Sequence, residues 1–444
     1  MYDDIALAIE NQFPTLQATL EDLIRMPSVS APGYDAAEVR RSAEFTADLL
    51  RAAGFDAVQL LEHEGAHPAV YGEIPGPEGA PTVLLYAHHD VQPPGPDEEW
   101  HTAPFEPIIR DGRIYGRGSS DDAGGIIVHL GAVGAFDGKP PVGVKVIIEG
   151  EEEIGSLHLE DFLAEHADML AADVIVIADS GNWKTGQPSL TTSLRGLVDC
   201  TVEVRTLDNA VHSGMFGGTV PDAVISLARL ISTLHNDDGS VAIPGLVSGD
   251  ADPLDLTEAD VRDWSGAVDG VELIGNGGLT ARMWTQPSIS VLAVDAPPVS
   301  EAINQLVPVA TAKISMRLAP GDDPQRAMAA LVSHLEDNAP WGAQVTVTPG
   351  ATGEAFALDT TGPAYDAFRT AFREAWDTEP NEIGVGGSIP FVAAFSERYP
   401  DATILLTGVA DHLSRAHGPD ESLDLDDLKR GTIAEAIALR LLAE

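Results

Sequence analysis

The sequence predicts an α/β domain with a mixed, largely parallel sheet, into which a smaller α+β domain is inserted. Short runs of Val, Ile and Leu, bounded by Gly, Pro or polar residues, alternate with helical patterns near both ends of the chain. This alternation is expected for strands that are buried on both faces of a parallel sheet. The predicted strands are 82–86, 142–148, 174–178 and 402–407, and the predicted helices include 5–25, 36–53, 123–136 and 364–376.

The middle of the chain has a different order of elements. Strands are predicted at 197–205, 288–294, 313–318 and 344–348, with helices at 220–234 and 324–335. The resulting β-α-β-β-α-β order is typical of the ferredoxin-like arrangement. We therefore expect one domain from residues 1–195 and 351–444 and an inserted domain from residues 196–350. Residues 236–283 are polar and rich in Gly, and we expect them to form an irregular surface insertion.

Composition excludes several classes of partner. The 444 residues carry a formal charge of −45, from 70 acidic and 25 basic side chains. Such a charge repels nucleic acid and anionic lipid, because binding to either depends on clustered Lys and Arg. No apolar run is long enough to span a bilayer, and the first four residues (MYDD) do not resemble a signal peptide. We expect a cytoplasmic protein, and the alternative meaning of the charge is a solvated acidic surface without a specific role.

Cysteine usage limits the kind of metal site that the chain can form. Cys200 is the single cysteine, so neither a disulfide framework nor a Cys-rich zinc module is available. Any metal ion must therefore bind to His and carboxylate side chains.

Several predicted strands run directly into His, Asp or Glu residues. In open α/β sheets the ligand crevice lies beyond the carboxyl ends of the strands, so these side chains should meet at one edge. They are His88, His89 and Asp90 after the first strand, Glu151, Glu152 and Glu153 after the second, Asp179 after the third, and Asp411, His412 and His417 after the fourth.

Strand geometry distinguishes the two adjacent histidines. Residues two apart point to the same side of a strand, so His88 and Asp90 should lie together while His89 points away. We interpret His88 as a metal ligand and Asp90 as the carboxylate that fixes its imidazole. The alternative is a strand end with solvated histidines.

Two further segments favour a cation. The Gly-rich segment 116–122 (GRGSSDD) lacks both phosphate-binding fingerprints, and Asp121 and Asp122 would repel a phosphate. The run of three glutamates at 151–153 is costly at the end of a buried strand unless positive charge is near, because like charges disfavour one another, and a dinuclear cation would supply that charge. One glutamate could then bind metal while its neighbour acts as general base. The alternative is a solvated acidic run.

Four motifs resemble those of the aminoacylase, carboxypeptidase and carnosinase family of co-catalytic metallopeptidases, and most closely its cytosolic nonspecific dipeptidase branch. The motifs are AHHDVQPP at 87–94, YGRGSSD at 115–121, EGEEEIGS at 149–156 and AHGPDE at 416–421. This resemblance implies a zinc-peptidase-like catalytic domain whose inserted domain acts as a lid and dimerisation domain. Ala123 and the segment 418–421 depart from the dipeptidase pattern, in which Lys and Ser-Gln-Asn-Glu or Ser-Pro-Asn-Glu are usual.

The resemblance also implies individual roles. Asp121 would bridge two metal ions, His88 and Asp179 would complete one site, and Glu153 and His417 the other. Glu152 would be the general base that deprotonates a water shared by the ions, and Asp90 would orient His88. His412 is a rival to His417, which we prefer because Asp420 and Glu421 follow it at the family spacing. A cis peptide between Asp121 and Asp122 is also expected.

In the inserted domain, His212 would stabilise the oxyanion in the active site of a partner subunit. Arg317, Gly387 and Ser388 would bind the terminal carboxylate of the substrate. The implied activity is hydrolysis of dipeptides or short peptides by a homodimer that holds two divalent ions per subunit, Zn²⁺ preferred with Mn²⁺ or Co²⁺ possible. The alternatives are an N-acyl-amino-acid deacylase with the same site and an ion-binding scaffold without activity.

Overall fold

The computed structural model describes residues 2–387 and 390–444. Within them the chain forms two compact units. The first comprises residues 2–192, 358–383 and 390–444, and the second comprises residues 193–357 and 384–387. The limits 196 and 350 that we expected from the sequence lie a few residues inside the second unit.

The described residues form both helices and strands over most of their length. The helices are α1 (Asp3–Ile24), α2 (Ala36–Ala52), α3 (Ala123–Gly134), α4 (Leu159–Leu170), α5 (Ser213–Phe216), α6 (Ala223–Ser232), α7 (Glu258–Ser265), α8 (Leu279–Trp284), α9 (Pro324–Asp337), α10 (Pro363–Trp376), α11 (Pro390–Arg398) and α12 (Leu425–Leu441). The strands are β1 (Gln59–Leu61), β2 (Ala69–Ile74), β3 (Thr82–His88), β4 (Ile108–Arg110), β5 (Arg113–Tyr115), β6 (Gly143–Glu149), β7 (Val174–Ile177), β8 (Ser189–Leu194), β9 (Gly196–Arg205), β10 (Val211–His212), β11 (Ser288–Asp295), β12 (Gln305–Leu306), β13 (Val309–Leu318), β14 (Gln344–Gly353), β15 (Phe356–Ala357), β16 (Asn381–Val385), β17 (Thr403–Leu406) and β18 (Ser422–Asp424). None of the described helices is both long and apolar enough to cross a bilayer.

The first unit is built on a mixed sheet with the strand order β1-β2-β6-β3-β7-β17-β8. The central strands β6, β3, β7 and β17 are parallel, whereas β1, β2 and β8 pair antiparallel with their neighbours. The central strands are buried along almost their whole length, which is why their sequences read as continuous apolar runs. The four strands predicted from these runs are confirmed.

Helices complete the core of the first unit. α3 packs against β3 and against α1 and α12, and α10 packs against α12. All residues of α3 from Ala123 to Val133 are buried, as expected for a helix that is apolar on every side. Asp122 caps the start of this helix by accepting a hydrogen bond from the N–H of Gly125. The start of α3 is thereby fixed next to the carboxyl end of β3.

The second unit contains a four-stranded antiparallel sheet with the order β11-β13-β9-β14. This is the strand order of the predicted β-α-β-β-α-β arrangement. Buried and partly exposed residues alternate along β9 and β13, because α6 and α9 pack against this sheet. Within this unit, β15 also pairs with the end of β8.

The insertion 236–283 is less irregular than we expected. It contains α7 and reaches into α8. α7 begins with a capping box in which the Thr257 hydroxyl accepts from the N–H of Asp260, and the Asp260 carboxylate accepts from the N–H of Thr257. We missed this helix because it buries no residue and therefore shows no apolar periodicity. Thr257 and Asp260, three apart, were the signal that predicts it.

Candidate active site

The predicted ligand residues of the first unit lie just beyond the carboxyl ends of its parallel strands. β3 ends at His88, β6 is followed by the 3₁₀ turn Glu152–Ile154, and Asp179 lies two residues after β7. Asp121 lies on the loop that precedes α3, and its peptide bond to Asp122 is cis, as expected. His417 lies on the loop between β17 and β18. Five separate segments therefore contribute to one site.

Two groups of donor atoms are formed. His88, Glu152 and Asp179 make one group, and Asp121, Glu153 and His417 make the other. Within each group one donor atom per residue lies within 4.8 Å of the others. His417 belongs to the second group, and His412 belongs to neither.

The carboxylate of Asp121 joins the two groups. Its Oδ1 lies 3.0 Å from Nε2 of His88, and its Oδ2 lies 3.0 Å from Nε2 of His417. The same His417 nitrogen lies 3.1 Å from Glu153 Oε2, and Nε2 of His88 lies 3.9 Å from Asp179 Oδ1. Asp121 thus presents one oxygen to each group.

Hydrogen bonds at the other ring nitrogen orient His88. Nδ1 lies 3.0 Å from the backbone carbonyl of Asp90 and 3.5 Å from the Oδ1 atom of its carboxylate. Since a carbonyl oxygen only accepts, Nδ1 donates to it, and Nε2 is the ring nitrogen that faces Asp121. His89 points elsewhere, with Nε2 2.9 Å from the carbonyl of Pro68. We expected the Asp90 carboxylate to hold the imidazole, but its backbone carbonyl is closer.

The carboxylate of Asp90 instead holds the turn that carries the two glutamates. It accepts hydrogen bonds from the N–H groups of Glu152, at 3.2 Å, and Glu153, at 3.1 Å, and from the hydroxyl of Ser30 at 2.7 Å. Gln92 adds a second anchor, because its side chain donates to Glu153 Oε2 at 2.8 Å. Sequence reasoning gave no role to Ser30 or Gln92, which bond to these segments only in the folded chain.

The site concentrates buried negative charge. Burial, together with the nearby Glu153, Asp121 and Asp90, raises the pKa of Glu152 to about 8. Burial and the neighbouring Glu152 raise the pKa of Asp179 well above its usual range. Burial also opposes ionisation of Asp121, but the two flanking imidazoles hold its pKa well below its usual range. Asp179 lies farther from an imidazole, with its Oδ1 3.9 Å from Nε2 of His88.

This donor set fits divalent metal ions. Imidazole nitrogens and carboxylate oxygens in two adjacent groups are ligands for Zn²⁺, Mn²⁺ and Co²⁺. A pair of divalent ions would also neutralise the charge that raises the pKa of Glu152 and Asp179. The residues present therefore fit a dinuclear centre.

The residues that we expected to contact the substrate lie in the second unit. His212 is exposed on β10, and its Nδ1 accepts from the N–H of Gly214 at 3.1 Å. Arg317 lies on β13, where burial lowers its pKa. Gly387 lies in a bend, and Ser388 falls outside the described residues.

Arg195 was not identified from the sequence. It is buried, and it donates to Ser288 and to the backbone carbonyls of Arg282 and Gln286. Burial and the nearby charge of Arg317 lower its pKa to about 10. Two guanidinium groups thus lie close together in the second unit, and an anion would relieve their repulsion.

Comparison with known proteins identifies the family. The model of peptidase family M20/M25/M40 matches residues 84–440. The chain belongs to this peptidase family. It is therefore a metallopeptidase, which confirms both the resemblance seen in the four motifs and the α/β fold class.

Relatives within peptidase family M20/M25/M40 include named dipeptidases. The chain is 37% identical over 369 residues to the cysteinylglycine-S-conjugate dipeptidase of Corynebacterium striatum, with 80% of each chain covered. It is 28% identical to the human Beta-Ala-His dipeptidase, over 82% of this chain and 75% of the relative.

Solved structures of the family share the fold. The metallo-carboxypeptidase Sso-CP2 of Sulfolobus solfataricus superposes with a TM-score of 0.82 at 26% identity, covering 96% of this chain and 99% of the other. The dipeptidase Dug1p of Saccharomyces cerevisiae gives 0.84 at 23% identity, covering 100% and 98%.

His412 and His417 lie on the same loop and provide a test of the ligand groups. His417→Asn should lower the metal content of the purified protein by about one ion per chain, because a three-residue group loses its only imidazole. His412→Asn is the matched control and should keep the wild-type content. Elemental analysis after dialysis measures both, and loss of metal from the His412 variant alone would contradict the assignment.

Proposed function

We propose that this chain is a dinuclear metallopeptidase that hydrolyses dipeptides and other short peptides with a free C-terminal carboxylate. The observation that carries the proposal is the position of Asp121, with one oxygen 3.0 Å from each of two imidazoles that belong to different donor groups. A carboxylate in this position can bridge two ions. The names of the Corynebacterium striatum and human relatives support a dipeptide substrate.

His88, Asp121 and Asp179 would hold one ion, and Asp121, Glu153 and His417 the other. Zn²⁺ is the preferred ion, and Mn²⁺ or Co²⁺ would suit the same donors. When bound, such a pair of ions lowers the pKa of water and polarises the scissile carbonyl. The single cysteine and the acidic composition support a cytoplasmic location.

Glu152 would move the proton. Its carboxylate belongs to the group of His88 and Asp179, and its backbone is fixed by the Asp90 carboxylate. Glu152 accepts a proton from the attacking water and then delivers it to the leaving amine. The backbone carbonyl of Asp90 would orient the imidazole of His88, and its carboxylate would hold the turn of Glu152.

The remaining roles concern substrate binding. Arg317, with Gly387 and Ser388, would bind the substrate carboxylate, and a planar guanidinium is suited to a bidentate contact. His212 would donate a hydrogen bond to the oxyanion in a partner subunit. Its exposure and its position on a short strand beside α5 support such a role.

Glu152 and Glu153 are adjacent and should respond differently to the same substitution. Glu152→Gln should lower kcat about 10²- to 10⁴-fold while metal content is kept, because only the proton acceptor is lost. Glu153→Gln should lower metal content. Steady-state kinetics and metal analysis of both variants decide the roles. Metal loss from the Glu152 variant with metal retained in the Glu153 variant would exchange them.

Matched substrates separate a dipeptidase from a deacylase. A dipeptide should be hydrolysed faster than its N-acetyl and N-succinyl counterparts, because a dipeptidase site is built around a free amine. A chelator should abolish turnover, and added Zn²⁺ or Mn²⁺ should restore it. Preferred hydrolysis of the acylated compounds would favour the N-acyl-amino-acid deacylase, and no turnover of either would favour an ion-binding scaffold.

An open sheet edge in the second unit supports a homodimer. β11 is one of the two edge strands of its sheet, and its residues Leu292 and Val294 are 63% and 51% exposed. Exposed apolar edge strands are templates for pairing with another chain. We therefore propose that this edge joins two subunits.

Sedimentation velocity should show a dimer for the wild-type protein and a monomer for Leu292→Lys. Leu7→Lys, at an exposed site of α1, is the control and should leave the dimer intact.

Mixed dimers of Glu152→Gln and His212→Asn should regain activity, because one site then combines an intact Glu152 with the intact His212 of the partner. A monomeric wild-type protein, or mixed dimers without activity, would contradict the role of His212 in trans.

A further inference from the structure

Glu421 is a buried carboxylate on which the loop of Asp121 depends. Its Oε1 accepts hydrogen bonds from the N–H and the hydroxyl of Ser120, both at 2.9 Å, and from the N–H of Asp121 at 3.2 Å. Its Oε2 accepts from the N–H of Gly118 at 2.9 Å. The backbone that carries the bridging residue is therefore wrapped around one side chain.

Arg117 pairs with this carboxylate and reaches two further loops. Its Nη1 donates to Glu421 Oε2 at 2.7 Å. Its Nη2 lies 3.2 Å from the carbonyl of Gly418 and 3.4 Å from the carbonyl of Pro93. The side chains of Arg117 and Glu421 are 1% and 0% exposed, so water does not substitute for these contacts.

The contacts of this pair reach three segments that carry predicted ligands. Pro93 lies five residues after His88, Gly118 to Asp121 form the loop of the bridging carboxylate, and Gly418 directly follows His417. His417 itself has φ 64°, a left-handed conformation that costs free energy for a residue with a side chain and persists where the surroundings fix it. The ion pair supplies such fixation.

We propose that Arg117 and Glu421 are positioning residues that set the affinity of the dinuclear centre for its metal ions. The pair holds the loops of His88, Asp121 and His417 at the separations that two ions require. The ligands are therefore ordered before the ions bind, and binding costs less conformational entropy. Hydrogen-bonded partners behind metal ligands commonly change metal affinity by about 10- to 100-fold. This inference rests on the proposed dinuclear function, because it concerns the same centre.

The experiment measures metal dissociation constants by competition between a chelator and metal-free protein, with Zn²⁺ and Mn²⁺ as probes. Glu421→Gln should weaken binding by about 10- to 100-fold. Activity should return toward the wild-type kcat as the concentration of Mn²⁺ is raised, which loss of a residue that takes part in the chemical step would not allow. Arg117→Lys keeps the charge but not the planar fork, and should give an intermediate affinity.

Glu435→Gln is the matched control. Glu435 is another buried carboxylate of the first unit, 2.9 Å from the Nδ1 atom of His129. It bonds to no predicted ligand, so its replacement should destabilise the fold without changing metal affinity. If Glu421→Gln does not fold, Ser120→Ala removes only the hydroxyl contact and should still weaken binding several-fold.

The outcomes are distinguishable from failure of the proposed function. A wild-type protein that binds fewer than two ions would overturn the dinuclear function itself. A wild-type protein that binds two ions, together with Glu421→Gln or Ser120→Ala variants of unchanged affinity, would overturn the positioning role alone. Equal losses of affinity in the Glu421 and Glu435 variants would also overturn it, because a general loss of stability would then explain the effect.

Discussion

The carboxylate of Asp121 lies between the imidazoles of His88 and His417, and the rest of the site is organised around this contact. Asp121 shares the site with the carboxylates of Glu152, Glu153 and Asp179. Burial and mutual repulsion raise the pKa of Glu152 and Asp179, so their charged forms are disfavoured unless a positive ion is near. Divalent ions are the counter-ions that this donor set suits. The repulsion between these carboxylates therefore favours the binding of divalent metal ions.

Hydrogen bonds from backbone N–H groups to two further carboxylates hold the loops of the site in place. Asp90 holds the turn of Glu152 and Glu153, and Glu421 holds the loop of Asp121. Both carboxylates accept from backbone N–H groups of these segments, and neither belongs to the two groups of donor atoms. A parallel sheet makes this arrangement possible, because it delivers separate loops to one edge. The chemistry then depends on loops, while the strands beneath them stay apolar.

The sequence predicted the strands that carry the site, because each is an apolar run ended by metal-binding residue types. It also predicted the inserted ferredoxin-like order, where β9 and β13 show their alternation clearly. It did not reveal α7, which buries no residue, or the role of Arg195, whose partners Arg282 and Gln286 are about ninety residues away. The contacts of Arg195 arise from tertiary packing, and local patterns carry no signal for them, whereas Thr257 and Asp260 are a local signal for α7.

The same distinction applies within the site. Spacing alone indicated that His88 and Asp90 share a side of the strand, but not that the backbone carbonyl of Asp90 would lie closer to the imidazole than its carboxylate.

The proposed bridging of two ions by Asp121 is tested most directly by anomalous X-ray diffraction from crystals of the zinc-loaded protein. We expect two anomalous peaks about 3.5 to 4 Å apart, one next to each oxygen of Asp121. A single peak, or peaks beyond coordination distance of Asp121, would contradict it.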